Sequence, residues 1–151
     1  MLDMHAAFQK QGLSPSQLIV VAPFPSPLDI PPLLALADLY VDSFPYAGAT
    51  SIIDALLVSL PTVVMAGEYQ RFDQAAALLR DLGLEELIAN DVEDYLRLTT
   101  ELATSKESRQ KLRGTIQSKL AEKPHFLDAK WYAREVEKQF DRMLAELPAS
   151  P

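Results

Sequence analysis

The sequence predicts an α/β fold: a short parallel sheet of three or four strands flanked by helices, followed by C-terminal helices. Three observations carry that expectation. Over residues 1–90, short apolar runs at Leu18–Ala22, Leu39–Asp42, Thr62–Ala66 and Leu87–Ala89 alternate with amphipathic stretches. The runs are continuously apolar rather than alternating, the pattern of strands covered on both faces. The strand, helix, strand cadence calls for parallel pairing through right-handed crossovers. After Asn90 the chain becomes helical and more polar. Residues 1–151 therefore read as a single domain, with an α/β part over 1–90 and a helical part over 91–147.

Each element has its own local reason. Met4, Ala7 and Phe8 share a face of a first short helix, which Gly12 stops. Ser14-Pro15 restarts the chain ahead of the strand Leu18–Ala22. Pro23, Pro25, Pro27, Pro31 and Pro32 stiffen the next segment, because proline lacks an N–H and restricts its predecessor. Leu33 to Ala37 has room for one or two helical turns before the strand Leu39–Asp42. The loop Ser43–Gly48 leads into a helix whose Ile52, Ile53, Leu56, Leu57 and Leu60 form a broad apolar face. Thr62–Ala66 is a third strand, Gln70–Leu82 a helix stopped by Gly83, and Leu87–Ala89 a short fourth strand.

In the polar half, Asn90 or Asp91 can cap a helix to about Ala103, buried through Val92, Tyr95, Leu96, Leu98 and Leu102. Ser105 can cap the next, on which Leu112, Ile116 and Leu120 repeat at four-residue spacing. Lys123-Pro124 ends it. Asp128 opens the last helix, with Tyr132, Val136, Phe140, Met143 or Leu144, and Leu147 along one stripe. The tail 148–151 is expected to fray. So short a sheet beneath so many helices reads as the later part of a larger domain.

Composition removes several functional classes. The chain has no cysteine and two histidines, His5 and His125, so disulfides, thiolate nucleophiles and imidazole-rich metal clusters are not expected. A net charge of −7 opposes a broad nucleic-acid or anionic-membrane surface. No apolar stretch approaches the length of a membrane span, and the start Met1-Leu2-Asp3-Met4-His5 lacks a secretory pattern. The expectation is a cytoplasmic protein.

Chemistry concentrates in Asp42-Ser-Phe-Pro-Tyr-Ala-Gly48-Ala-Thr-Ser-Ile-Ile-Asp54. A loop leaves the carboxyl end of a parallel strand and runs into a helix, the place where open α/β sheets bind ligands. The first helical amides have no intrahelical partner, and the helix dipole adds positive potential there. Gly48, Ala49, Thr50 and Ser51 could thus hold a diphosphate, while Asp54, one turn on, could accept hydrogen bonds from ribose hydroxyls. A plain helix start explains the same residues: serine and threonine cap helices, and an early aspartate answers the dipole. The spacing matches neither the P-loop nor the dinucleotide glycine fingerprint, so composition leaves both open.

Other candidates are weaker. Asp42 lacks the acidic pair and lysine that a receiver-type phosphoacceptor needs. Glu68, at the crevice side, could face the sugar, and Arg71, the only basic residue close to the candidate pocket in sequence, could approach phosphate, but both read first as solvated loop and helix-start residues; His125 reads as a loop histidine and Trp131 as helix packing.

The run Ala37-Asp-Leu-Tyr-Val-Asp-Ser-Phe-Pro-Tyr-Ala-Gly-Ala-Thr-Ser-Ile-Ile-Asp54, then Leu60-Pro-Thr-Val-Val-Met-Ala-Gly-Glu68, resembles the C-terminal catalytic lobe of the O-linked N-acetylglucosamine transferase/SPINDLY family, glycosyltransferase family 41. The likeness continues through Arg80–Asn90 and Tyr95 and extends over about residues 12–147. It implies part of the C-terminal, Rossmann-like lobe of a GT-B enzyme, and hence the donor-binding portion of an inverting protein O-glycosyltransferase using a UDP-GlcNAc-type nucleotide sugar. In the family the motif surrounds the donor's diphosphate and ribose, at positions that match Gly48, Thr50, Ser51 and Asp54, with Ala49 between them. No catalytic residue, metal or other cofactor is assigned here. The implied partners are the donor, an N-terminal catalytic lobe and a protein acceptor; nucleic acid and membrane are not expected.

The departures bear on function. Ala49 stands where the family often has histidine, and Phe24–Pro31 carries no basic residue where a lysine and a histidine often lie near the base. The family's phosphate-neutralising lysine precedes the part of the lobe matched here. The fragment alone is therefore expected to be inactive. The alternative is a non-catalytic Rossmann-like module derived from that family, self-associating as a homodimer through an exposed sheet edge.

Overall fold

The structure is a computed structural model that describes residues 4–147; the tail expected to fray lies outside them. In chain order the elements are α1 (Met4–Lys10), α2 (Ile30–Leu34), β1 (Tyr40–Val41), α3 (Thr50–Leu57), β2 (Thr62–Met65), α4 (Gln70–Asp81), β3 (Ile88–Ala89), α5 (Val92–Thr104), α6 (Lys106–Ala121) and α7 (Ala129–Glu146). The three strands form a parallel sheet in the order β1-β2-β3, with Tyr40 opposite Thr62 and Val64 opposite Ile88. The parallel α/β architecture expected from the cadence is thus present.

The sheet is narrow but its centre is dry. Val63 and Val64 of β2 are fully buried, as are Ile52 and Leu56 of α3 and Ala75, Ala76 and Leu79 of α4. Alanine at 75 and 76 lets α4 lie close to β2, where a larger side chain would hold the helix away. Leu84, Leu87 and Ala89 close the core on one side, while Tyr95 and Leu102 of α5 and Ile116 of α6 complete it.

Helix ends follow their punctuation. Gly83 adopts φ +64, and Leu84 N–H reaches back to Leu79 O at 2.9 Å, the left-handed stop that glycine accepts without strain. Ser59 ends α3 in the same way at φ 55, with Leu60 N–H bonding Ala55 O at 3.0 Å. Side chains of Asp91, Ser105 and Asp128 cap α5, α6 and α7.

Two expectations fail. Val92 and Leu96, expected on the buried side of α5, are 51% and 60% exposed, and Tyr95 and Leu102 are what that helix buries. Leu18–Ala22 is not a strand: Leu18 to Phe24 has no regular structure, and Ile19 is 82% and Val20 61% exposed. Apolar content marks a segment that profits from burial, but a strand exists only when another strand's N–H and C=O groups stand beside it. Among the described residues no strand pairs with this run, so the sheet has three strands. The prolines that follow confine the chain to short turns at Pro27–Asp29 and α2.

Candidate functional site

The site is built where β1 and β2 end. Asp42 directly follows β1, and its N–H still pairs with Val63 O at 3.0 Å. Its side chain turns inward and is almost wholly buried, at 4% exposure. Both carboxylate oxygens accept the Gly48 N–H, Oδ2 at 2.9 Å and Oδ1 at 3.2 Å. Burial pushes this carboxyl's pKa above its ordinary value, against the lowering effect of the Gly48 and Ser43 amides. On the other side, the Tyr95 hydroxyl donates to the Asp42 backbone carbonyl. One residue thus fixes both ends of the loop.

Other contacts hold the rest of that loop. Phe44 meets the Tyr95 ring edge-on, with centroids 5.0 Å apart. Ser43 Oγ donates to Tyr46 O at 2.8 Å. From the next helix, Gln74 Nε2 donates to Ala47 O at 2.5 Å, and the Arg71 guanidinium lies 5.8 Å from the centroid of the Tyr46 ring.

Helix α3 then begins with its first amides outside the helical ladder, those of Thr50 and Ser51 on exposed residues and that of Ile52 buried. Its first intrahelical partner is Ala49 O, which accepts Ile53 N–H at 3.2 Å, so the amides of Thr50, Ser51 and Ile52 precede the ladder. Ala49 at the N-cap supplies no side-chain cap, and the first turn holds no acid. Helices α5, α6 and α7 are capped by side chains, and α4 carries Asp73 in its first turn. Among α3 to α7, only α3 leaves its positive end without a cap or an acid.

These positions separate the sequence-derived candidates. Ala49, Thr50 and Ser51 are exposed at the open turn, Gly48 is half-buried behind them, and Asp54 sits half-buried one turn further along. The Gly48 amide is already committed to Asp42, so the amides left for a ligand start beyond it. Gly48 is glycine because a Cβ there would lie 2.9 Å from Asp42 Oδ1 and press on Ser51 Oγ. The close approach at this glycine is thus made by the protein's own carboxylate. Thr50 and Ser51 stand inside the first turn rather than at its cap. The Tyr40 phenol has a pKa raised by burial, moderated by Ser51, and raised further by Asp42 and Asp54.

Beside the turn, Phe44, Pro45, Met65, Gly67, Glu68, Tyr69 and Phe72 line a largely apolar cavity of about 260 Å³. Gly67 N–H donates to Asp73 Oδ1 at 3.2 Å, so an aspartate also braces the loop after β2. Arg80 pulls the Asp73 pKa down. A second, polar hollow, lined by Arg80, Asp81, Lys119, Lys123 and His125, lies at the far end of α4, about 18 Å along that helix by its rise. There His125 Nδ1 is 2.9 Å from Asp81 Oδ1, and its ring stacks on Trp131. Both residues anchor the start of α7, and neither reaches the open turn.

Sequence reading missed the Asp42 and Tyr95 brace and the role of Gln74. Asp42 carried a signal, an acid at a strand end, but its partner Tyr95 looked like ordinary helix packing.

A loop after a parallel strand, opening into an uncapped helix, is common to many nucleotide-binding folds, and comparison with known proteins narrows it. The profile of glycosyl transferase family 41 matches residues 3–136. The chain belongs to glycosyl transferase family 41. Within that family it is similar to the probable UDP-N-acetylglucosamine–peptide N-acetylglucosaminyltransferase SPINDLY of Petunia hybrida, at 29% identity over 116 residues, 77% of this chain and 12% of the relative. It is 33% identical to the SPINDLY protein of Arabidopsis thaliana over 90 residues, 60% of this chain and 10% of that one. A solved mutant O-GlcNAc transferase from Thermobaculum terrenum superposes with a TM-score of 0.83 at 24% identity, covering 93% of this chain and 26% of the other. The fold is therefore that of part of a GT-B glycosyltransferase. The chain spans about a tenth of the length of the curated family 41 relatives it matches. No helix among the described residues is long and apolar enough to cross a membrane.

Proposed function

We propose that this chain is the donor-binding portion of an inverting protein O-glycosyltransferase that takes a UDP-GlcNAc-type nucleotide sugar. By itself it transfers no sugar. The observation that carries this reading is the open N-terminus of α3, presented by a braced loop at the carboxyl ends of the parallel strands of a family 41 chain.

The chemistry follows from that geometry. An acceptor hydroxyl attacks the anomeric carbon from the face opposite the leaving group, and the bond from that carbon to the diphosphate oxygen breaks. Negative charge collects on the departing nucleoside diphosphate. The amides of Thr50 and Ser51 are fixed before the reaction begins, so they can stabilise that charge without reorganising. The Thr50 hydroxyl adds a donor on the same turn, and Asp54 is placed one turn inward to accept from ribose hydroxyls. The reading requires no metal or other cofactor. The base that takes the acceptor's proton, the acceptor-binding surface and the rest of the donor pocket belong to a partner lobe outside these residues, in a cytoplasmic enzyme.

Titrating UDP and GDP into the chain while following backbone amide resonances tests this. Shifts that saturate at Thr50 and Ser51 are expected. Shifts confined to α5–α7, or none at millimolar nucleotide, would remove the donor-binding reading.

A second reading, a non-catalytic module that self-associates, has one observation in its favour: the exposed, unpaired apolar run Ile19–Val21. Concentration-dependent sedimentation abolished by a charge at Val20 would support it.

A further inference from the structure

The loop that presents α3 also holds a cation. Arg71 lies in the first turn of α4, and Gln74, three residues on and so on the same helical face, is bonded to Ala47 O at 2.5 Å. That bond fixes the start of α4 against the segment entering α3. From there the Arg71 guanidinium rests over the ring of Tyr46, 5.8 Å from its centroid, two residues before Gly48.

Its electrostatic state differs from that of three other arginines, although Arg113, Arg134 and Arg142 share it among the described residues. Arg80 is bonded to Asp73, Arg97 to Asp94 and Glu101, and Arg109 to Asp38. Among the described residues no carboxylate forms an ion pair with Arg71. An aromatic ring orients a guanidinium through its quadrupole but leaves the full charge in place. The protein as a whole carries −7, and Asp42 and Asp54 flank the turn itself. A dianionic diphosphate arriving there would meet those acids with only backbone dipoles against them. An oriented, unneutralised guanidinium over the loop that leads into the turn is the group that redresses this, and its planar fork matches paired phosphate oxygens.

We propose that Arg71, steered by Tyr46, binds the diphosphate of the donor at the mouth of the α3 turn and offsets the charge of the leaving nucleotide. The proposal rests on the donor-binding reading above and adds a residue to it. It also gives Tyr46 a role, which is to aim the guanidinium rather than to touch the ligand's charge.

The test compares ligands that differ in charge. UDP, uridine and inorganic pyrophosphate are titrated into the wild-type chain, Arg71→Ala, Arg71→Lys and Tyr46→Ala, with thermal melts to verify folding. Arg71 is exposed, so its variants are expected to melt with the wild type. UDP and pyrophosphate should bind Arg71→Ala about tenfold more weakly, which is about 1.4 kcal/mol, with a shallower dependence on salt. Uridine should be unaffected. Arg71→Lys should recover part of the loss, and Tyr46→Ala should show a smaller loss with the same ligand pattern. UDP affinity unchanged in Arg71→Ala, or equal loss for UDP and uridine, overturns the role of Arg71 while leaving the donor site standing. If wild type binds neither UDP nor pyrophosphate, the donor-binding reading falls and this proposal falls with it.

Discussion

The Tyr95 hydroxyl donates to the backbone carbonyl of Asp42, 53 residues earlier in the chain, while the carboxylate of the same Asp42 accepts the Gly48 amide. Helix α5 therefore sets the position of a loop that leads into α3. The open amide turn inherits its geometry from two elements on either side of it in sequence, neither of which need touch a ligand.

Removing the Tyr95 hydroxyl should test that brace directly. Tyr95→Phe keeps the ring against Phe44 but leaves a buried carbonyl without its donor, at a cost of about 1–3 kcal/mol. The same residue sets an alkaline limit. Burial first, then the charge of Asp42, pushes the Tyr95 pKa from 10.0 up to about 12. Between those values the native state holds a proton that the unfolded state has lost, so this contribution to stability is complete below pH 10 and declines as pH rises towards 12. Melting curves across that window should show a steeper loss in wild type than in Tyr95→Phe. Parallel slopes would refute the raised pKa, and an unchanged Tm for Tyr95→Phe below pH 10 would refute the brace.

Asp42 and Gly48 should behave as one unit. Gly48→Ala forces a methyl against Asp42 Oδ1 and Ser51 Oγ, an overpacking cost of about 1–3 kcal/mol, and should weaken UDP binding by displacing the turn. Asp42→Ala leaves the Gly48 amide unpaired and should destabilise by about 1–3 kcal/mol. Asp42→Asn keeps one acceptor and drops the buried charge, so it should cost less than Asp42→Ala. Because the folded pKa of Asp42 is raised, its neutral form favours the fold. Its contribution is present below the ordinary carboxylate pKa and is lost as pH rises through the folded value, the reverse of Asp73. Denaturant melts of the three variants between pH 3 and 7 would check the order and the sign.

Ser59 marks a place where the chain can be improved. It ends α3 at φ 55, a conformation that costs a residue with a Cβ about 1–2 kcal/mol, partly offset by glycine's greater entropy when unfolded. Ser59→Gly should raise stability by about 0.5–1 kcal/mol, or a few degrees in Tm, with UDP binding unchanged. A lower Tm would show that the serine side chain contributes contacts that outweigh the strain.

Much of the architecture was legible because its causes are local. Gly12 and Gly83 were read as stops, Ser105 and Asp128 as caps, and Ile52 and Leu56 on the apolar face of α3 as core; each depends on residues within a turn or two. The motif from Asp42 to Asp54 was legible as a candidate for the same reason. The strand read at Leu18–Ala22 failed because pairing is not local: apolar residues favour burial, yet nothing in five consecutive side chains says whether a partner strand will lie alongside. The Gly48 amide was assigned to a ligand because the sequence does not show that Asp42 turns inward to take it.

By itself, then, the sequence determined the parallel α/β class, most of the helices and the loop that runs from β1 into α3, since periodicity, caps and stops act over a few residues. Only the tertiary structure decided which amide of that loop Asp42 takes, which tyrosine holds the loop and which ring orients Arg71. Those outcomes depend on groups far apart in sequence competing for the same hydrogen bonds, and that competition is resolved when the surfaces meet.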